Sequence, residues 1–321
     1  MRVVVTGGTG LIGTALCRRL VTDGHEVVVL TRRAQAAVPA GVTVVPWTAQ
    51  PTPTGTDGGE PARERPAWWE AIDGADVAVN LAGESIAARR WSPAQKERIL
   101  QSRLQATRAL VQAIEAARRR PRLLLSGSAV GYYGPRGDEV VTETGRPGAD
   151  FLSRVCVAWE EEARRAEAAG VRVALLRTGV VLAREGGALP RLVLPFRFFA
   201  GGPLGSGRQW VPWIHLDDLV DLITFLLGRD DASGPYNGTA PEPVTNREFA
   251  RVLGRVLGRP AWLPAPAPAL RLALGEMADA LLLSGQRAVP ERALAAGFRF
   301  RYPDLEGALC HLLGRGSAPG P

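Results

Sequence analysis

Lysine is nearly missing from this 321-residue chain. Lys96 is the only one, although Lys and Arg together number 39. No Tyr stands three, four or five residues before Lys96. A Tyr and Lys one helical turn apart, where the ammonium lowers the phenol pKa, is therefore excluded. Cysteine is also scarce. Cys17, Cys156 and Cys310 are widely separated, show no metal-ligand spacing, and their odd number gives no disulfide framework. Cys17 and Cys310 read as small buried hydrophobes. No run approaches the ~20 apolar residues of a membrane helix. The longest candidate, near 219–228, is broken by Asp221 and Thr224. No basic-then-apolar leader precedes the strand-like MRVVVTGG, so cytoplasm is the expected location and no membrane partner is expected. The net charge of +7 comes almost wholly from dispersed Arg, and runs such as Arg118–Arg120 read as solvated helix ends. A nucleic-acid partner is not expected; an anionic cofactor is a better use for a few arginines.

With 46% hydrophobic residues there is ample material for a core, in one large α/β domain or two. Apolar runs alternate with amphipathic ones through the first two-thirds. The pattern predicts strands near 3–6, 27–30, 42–46, 77–81, 122–126 and 171–176, and helices near 11–23, 93–118 and 151–169. This is the signature of an α/β fold with a doubly wound parallel sheet. Ser92-Pro93 is a helix start signal. Residues 48–67, rich in Pro, Gly and Thr, read as an exposed, mobile loop. After Leu182 the pattern becomes irregular through 186–207, helical at 216–228, extended at 234–239, and helical again from Asn246 with a Pro-rich interruption at 260–268. Residues 315–321 read as a disordered tail.

The segment VVVTGGTGLIG at 3–13 has the form strand, glycine-rich turn, helix. Gly7 permits the tight turn, Gly10 lets a pyrophosphate approach the backbone, and Gly13 lets the helix pack on the strand. Thr9, Leu11 and Ile12 complete the turn, and the helix N-terminus offers free N–H groups to phosphates. The second strand ends Thr31-Arg32-Arg33, where NAD-preferring sites carry an acid. Guanidinium pairs bidentately with phosphate, so NADP(H) is the expected cofactor, with Arg32 its 2′-phosphate ligand. The fourth strand ends Asn80-Leu81-Ala82-Gly83, where small residues let the adenine ribose lie against the strand ends. Ser126-Gly127-Ser128-Ala129 and Gly131-Tyr132-Tyr133-Gly134 follow at the end of the fifth.

These residues together resemble the extended short-chain dehydrogenase/reductases. The likeness is nearest to the atypical branch labelled the NAD(P)-dependent epimerase family. It rests on TGGTGLIG at 6–13, NLAGE at 80–84, SGSAVGYYG at 126–134, RTGVVL at 177–182, LPFR at 194–197, GGPLGSGRQWVPWIHLDDL at 201–219 and GQRAVPERALAAGFRF at 285–300. The last stretch is similar to that branch's small terminal domain of unknown function. The resemblance implies an NADP-binding Rossmann domain over 1–185 plus 211–240. A smaller, mostly helical substrate-side domain would take 186–210 plus 241–314. It maps cofactor contacts onto the Gly7–Gly13 turn, Thr31, Arg32, Leu81, Ala82, Glu97, Arg103 and Val180. By analogy it also suggests a homodimer.

The family's Tyr-x-x-x-Lys falls, on this alignment, at Cys156 and Glu160. Cys156 is a candidate acid/base or a packing residue; Glu160 beside it would raise the thiol pKa, the reverse of what Lys does. Tyr132 and Tyr133 are candidate proton donors or substrate ligands, and Ser128 fits the catalytic Ser position. His215 reads as structural, with Asp217 or Asp218 near a helix start. Asp138, Glu139 and Glu143 are within reach of the pocket but read better as a solvated acidic loop. Phe196, Phe198, Phe199, Trp210 and Trp213 line a substrate crevice or belong to the core. Two functions remain open: an NADP(H)-dependent oxidoreductase or epimerase of an unknown small carbonyl or sugar-like substrate, and a non-catalytic NADP(H)-binding regulatory or redox-sensing protein. No metal site is expected.

Overall fold

Six short runs rich in Val, Leu and Ala and one edge run, Gly-Pro-Tyr-Asn-Gly, build the main sheet. In chain order they are β1 Arg2–Thr6, β2 Glu26–Thr31, β3 Val42–Pro46, β4 Val77–Asn80, β5 Leu123–Ala129, β6 Arg172–Thr178 and β7 Gly234–Gly238. The computed structural model describes residues 1–52 and 65–314. The sheet order is β3-β2-β1-β4-β5-β6-β7, and every neighbouring pair is parallel. The central strands are apolar on both faces, as expected where helices cover both sides. Successive side chains point to opposite faces. Val3, Val5, Val27 and Val29 pack with Leu16, Leu20, Leu219 and Ile223 on one face. Val4, Val28 and Leu124 pack with Ala106, Leu110, Ile114 and Ala163 on the other. The first face is covered by α1 (Leu11–Thr22) and α5 (Leu216–Leu227), the second by α2 (Pro93–Ala116) and α3 (Phe151–Arg164).

The helix starts follow local chemistry. Ser92 accepts from the Gln95 N–H with Pro93 in the first turn, as the sequence predicts, and Asp150 accepts from the Ser153 N–H. The run expected as one helix over 151–169 is α-helical to Arg164 and tightens into a 3₁₀ turn over Arg165–Ala169, ending at left-handed Gly170.

A separate core lies beside the sheet. In it α4 (Leu189–Arg197), α6 (Asn246–Leu257) and α8 (Leu305–Leu313) meet through Val193, Phe196, Phe249, Leu253, Ala308 and Leu309. Leu182, Trp213 and Ala240 share it. Buried Asp218 on α5 accepts from the Arg301 and Tyr302 N–H groups at 2.7 and 3.0 Å, tying the C-terminal chain to the sheet domain. The helix α7 (Ala267–Leu274) buries none of its residues. Among the described residues no helix is long and apolar enough to cross a membrane. Residues 315–321, and most of the 48–67 loop, lie outside the described residues.

Candidate functional site

The strand order reverses between β1 and β4, which opens a crevice at the carboxyl ends of these strands. The glycine-rich turn lies there. Gly7 has φ +71°, and a Cβ on it would stand 2.5 Å from the Leu81 carbonyl carbon. A Cβ on Gly13 would stand 2.7 Å from the Gly8 Cα. Both positions exclude a side chain because backbone meets backbone. Gly10 differs: its Cβ would touch only the Gly7 oxygen, at 3.3 Å, and otherwise fill open space. Gly10 is the α1 N-cap, without a side-chain cap, and no acid occupies the first turn. The N–H groups of Leu11, Ile12 and Gly13 therefore face a space that only a glycine leaves clear, with the positive end of the helix dipole behind them. This cradle fits a pyrophosphate. Thr9 is exposed beside it.

At the end of β2, Thr31 is buried and its Oγ1 accepts from the Arg33 N–H. Arg32 and Arg33 are exposed, and neither is ion-paired among the described residues. The chain of 81–83 runs over the turn, with Leu81 and Ala82 half-buried and Gly83 exposed. Asn80 locks these strand ends: its Oδ1 accepts from Thr6 Oγ1 at 2.7 Å, and its Nδ2 donates to Thr107 Oγ1 at 2.8 Å and Ser126 Oγ at 3.2 Å. Arg103 packs against Gly83, donates through Nη1 to the Glu84 and Ile99 carbonyls at 3.0 and 2.9 Å, and lies 5.0 Å from the Trp159 ring centre. Burial lowers its pKa. Glu97 is exposed on α2, and Val180 is half-buried in a short strand paired with 213–215.

The proton-handling candidates form one buried assembly. Ser128 on β5 and Arg177 on β6 are register partners, and both reach Glu160 on α3. Ser128 Oγ donates to Glu160 Oε1 at 2.7 Å; Arg177 donates from Nε to Oε1 at 2.8 Å and from Nη2 to Oε2 at 2.9 Å. Arg177 Nη1 also donates to the Tyr133 hydroxyl and to the Glu143 carbonyl, each at 3.1 Å. Burial, the largest influence, works to lower the Arg177 pKa; the Glu160 hydrogen bonds with the Tyr133 and Glu160 charges outweigh it and raise it. The guanidinium lies 3.5 Å from the centre of the Tyr132 ring. Tyr132 is half-buried, and its hydroxyl has no partner among the described residues.

This arrangement revises several expectations. Tyr133 is fully buried; its hydroxyl donates to Asn237 Oδ1 at 2.7 Å, and burial first of all pushes its pKa up to about 12. It is built into the wall and does not present a proton to the crevice. Ser128 commits its only proton to Glu160, an acceptor-only carboxylate, so it can accept from a ligand but not polarise a carbonyl. The Cys156 thiol is pushed up to about 11, by burial first and then by Glu160, so it is a packing residue with little thiolate. Glu143 is not solvated: it is buried, and its carboxylate accepts from the Asn237 and Arg292 N–H groups at 2.9 and 3.3 Å. Phe196 and Trp213 belong to the core, whereas Phe198 and Phe199 face solvent. The Glu160–Arg177 pair escapes a reading of the sequence, in which Glu160 is only a failed Lys and Arg177 only the first letter of RTGVVL. Seventeen residues and two element types separate them, so no periodicity links them.

His215, Asp217 and His311 are near enough to suggest a metal site. The tautomers argue against one. His215 Nδ1 accepts from the Asp217 N–H at 3.0 Å, as the α5 N-cap, so the proton of the neutral ring sits on Nε2 and points at His311 Nδ1, 3.0 Å away. Burial first, then His311 and Arg301, lower the His215 pKa to about 3. His215 is structural.

Comparison with known proteins shows the family to which this fold belongs. Residues 3–237 match the NAD dependent epimerase/dehydratase family, and residues 265–312 match a domain of unknown function, DUF1731. The chain is 41% identical over 314 residues to the epimerase family protein YfhF of Bacillus subtilis, covering 98% of each. It is 44% identical over 311 residues to the chloroplastic SDR39U1 homologue of Arabidopsis thaliana, covering 96% of this chain and 86% of that one. The crystal structure of human epimerase family protein SDR39U1 with NADPH superposes with a TM-score of 0.83 at 35% identity, covering 98% of this chain and all of that one.

Proposed function

Because this chain belongs to the NAD dependent epimerase/dehydratase family, we propose that it is an NADP(H)-dependent oxidoreductase or epimerase of a small carbonyl or sugar-like substrate. Bound in the crevice, the dinucleotide would supply or accept a hydride at its nicotinamide. The Leu11–Gly13 N–H groups hold the pyrophosphate and Arg32 pairs with the 2′-phosphate. The human relative's structure contains NADPH, which supports the phosphorylated cofactor. Tyr132 handles the substrate proton at its hydroxyl, and Ser128 Oγ accepts a hydrogen bond from the substrate. Arg177, fixed by Glu160, holds the Tyr132 ring from its face.

The observation that carries this reading is a Tyr132 hydroxyl without a partner among the described residues, on a ring whose face is held by a buried, fully oriented guanidinium. The chain's one lysine is spent elsewhere, ion-paired with Glu276 and facing Phe151. The test is turnover of NADPH or NADP+ across a carbonyl and sugar-nucleotide panel. Tyr132→Phe should lower kcat by about 10²–10⁴ with unchanged NADPH affinity. An unchanged kcat removes Tyr132 from the chemistry.

One observation favours a second reading, an NADP(H)-binding regulatory or redox-sensing protein without turnover: the Ser128 proton is already bound to Glu160. That reading predicts tight NADPH binding, no turnover on any substrate, and a cellular role that survives Ser128→Ala with Tyr132→Phe.

A further inference from the structure

Beside the smaller core, the chain of 194–199 and 262–272 exposes large apolar side chains, and Arg259 lies against this face at Phe199. The chain of 201–205 zips to 263–265 through Leu263 N–H to Gly201 O at 3.1 Å, Ala265 N–H to Pro203 O at 2.9 Å and Gly205 N–H to Ala265 O at 2.8 Å. That pairing brings the chain after Phe198 and Phe199 alongside the chain of Trp262 and Leu263, and Leu194 on α4 and Leu272 on α7 are exposed as well. Phe198 is 74% exposed, Trp262 68% and Leu272 81%. Phe199 is held at φ +60°, a strained conformation for a bulky residue, with its ring in solvent. From 260 to 274 the only charged side chain is Arg271, which is paired with Asp279.

Charge selects the occupant. No Asp or Glu occurs in 186–216 or in 249–275, while those stretches carry seven arginines, of which Arg251, Arg255 and Arg271 are paired with Glu248, Glu306 and Asp279. Arg191, Arg197, Arg208 and Arg259 have no ion pair among the described residues, and Arg259 stacks on Phe199 at 4.4 Å. A second copy docking by the same face would set arginine against arginine. A folded protein partner needs hydrogen-bonding groups across its contact, and this surface offers few besides guanidinium. Exposed aromatic and Leu side chains among arginines fit hydrocarbon below and phosphate above. We propose that this face is a docking surface for an anionic lipid bilayer. The expectation of no membrane partner counted only spanning segments, and a surface contact needs none.

Sedimentation with phosphatidylcholine vesicles, with and without one-quarter phosphatidylglycerol, tests it. The protein should pellet with the anionic vesicles and not with pure phosphatidylcholine. Arg197→Glu with Arg259→Glu should weaken partition by about fivefold or more per arginine. Phe198→Ser, Trp262→Ser and Leu272→Ser together should abolish it, and neither variant should change the melting temperature, since all five side chains are exposed. The proposal is overturned by absence of binding to anionic vesicles or by undiminished binding of both variants. A wild-type dimer that the apolar variant converts to monomer also overturns it, because a second copy would then cover the face.

Discussion

Replacing Arg177 with Met should be among the costliest single changes in the sheet domain. Arg177 and Glu160 side chains are 3% and 5% exposed and share two hydrogen bonds. Met fills similar volume but leaves the Glu160 carboxylate buried with one remaining donor, Ser128. It also strips the Tyr133 hydroxyl and the Glu143 carbonyl of a partner. Breaking such a pair from one side costs about 3–5 kcal/mol. With about 2.1 cal/mol/K of unfolding entropy per residue, a chain of this length should lose about 4–7 °C in Tm. Removing both charges reverses the outcome. Glu160→Leu with Arg177→Met leaves only neutral groups unpaired, at about 1–3 kcal/mol, so the double variant should be more stable than Arg177→Met alone. Urea unfolding of the wild type, both single variants and the double variant closes the cycle. A loss below about 1 kcal/mol for Arg177→Met, or a double variant that loses the sum of the two singles, would refute the view that an orphaned charge sets the cost.

Three further outcomes follow from burial. Tyr133→Phe removes the donor to Asn237 and should cost about 1–3 kcal/mol of stability while leaving kcat unchanged; a loss of turnover at full stability would return Tyr133 to the chemistry. The His215 pKa falls from 6.5 to about 3 in the fold, so its contribution is fully present above pH 6.5 and is lost as pH falls toward 3. From pH 7 to 5 the wild type should lose about 2 kcal/mol more than His215→Asn, and equal losses in the two proteins count against the buried neutral ring. With Cys17 and Cys156 both pushed up to about 11, a thiol reagent at pH 8 should label at most Cys310 in the native protein and all three thiols after denaturation; rapid native labelling of Cys156 contradicts its burial.

The sheet is largely legible in the sequence because its signals are local. Apolar runs bounded by turns give most strands to within one or two residues, β3 over 42–46 matches end for end, and β5 runs three residues further than expected, to Ala129. The glycine turn is legible for the same reason: three glycines at fixed spacing each answer one backbone demand within six residues. The Ser128–Glu160–Arg177 assembly is not, because it joins β5, β6 and α3 across long separations. Which of Tyr132 and Tyr133 is buried depends on a single 3₁₀ turn over 130–133, which leaves Tyr132 half-buried and Tyr133 fully buried against the same guanidinium. Glu143 sits in a loop of solvated appearance, and only the β7 and Arg292 backbones that reach it explain its burial.

Central to the proposed function is a dinucleotide held by the Gly7–Gly13 cradle, with the arginine after β2 selecting its extra phosphate. Titration calorimetry of the wild type and Arg32→Ala with NADPH and NADH tests this most directly. NADPH should bind the wild type at least about tenfold tighter than NADH, and Arg32→Ala should lose most of that preference while its NADH affinity stays unchanged. Equal affinity for the two dinucleotides in the wild type, or heat from neither, would contradict it.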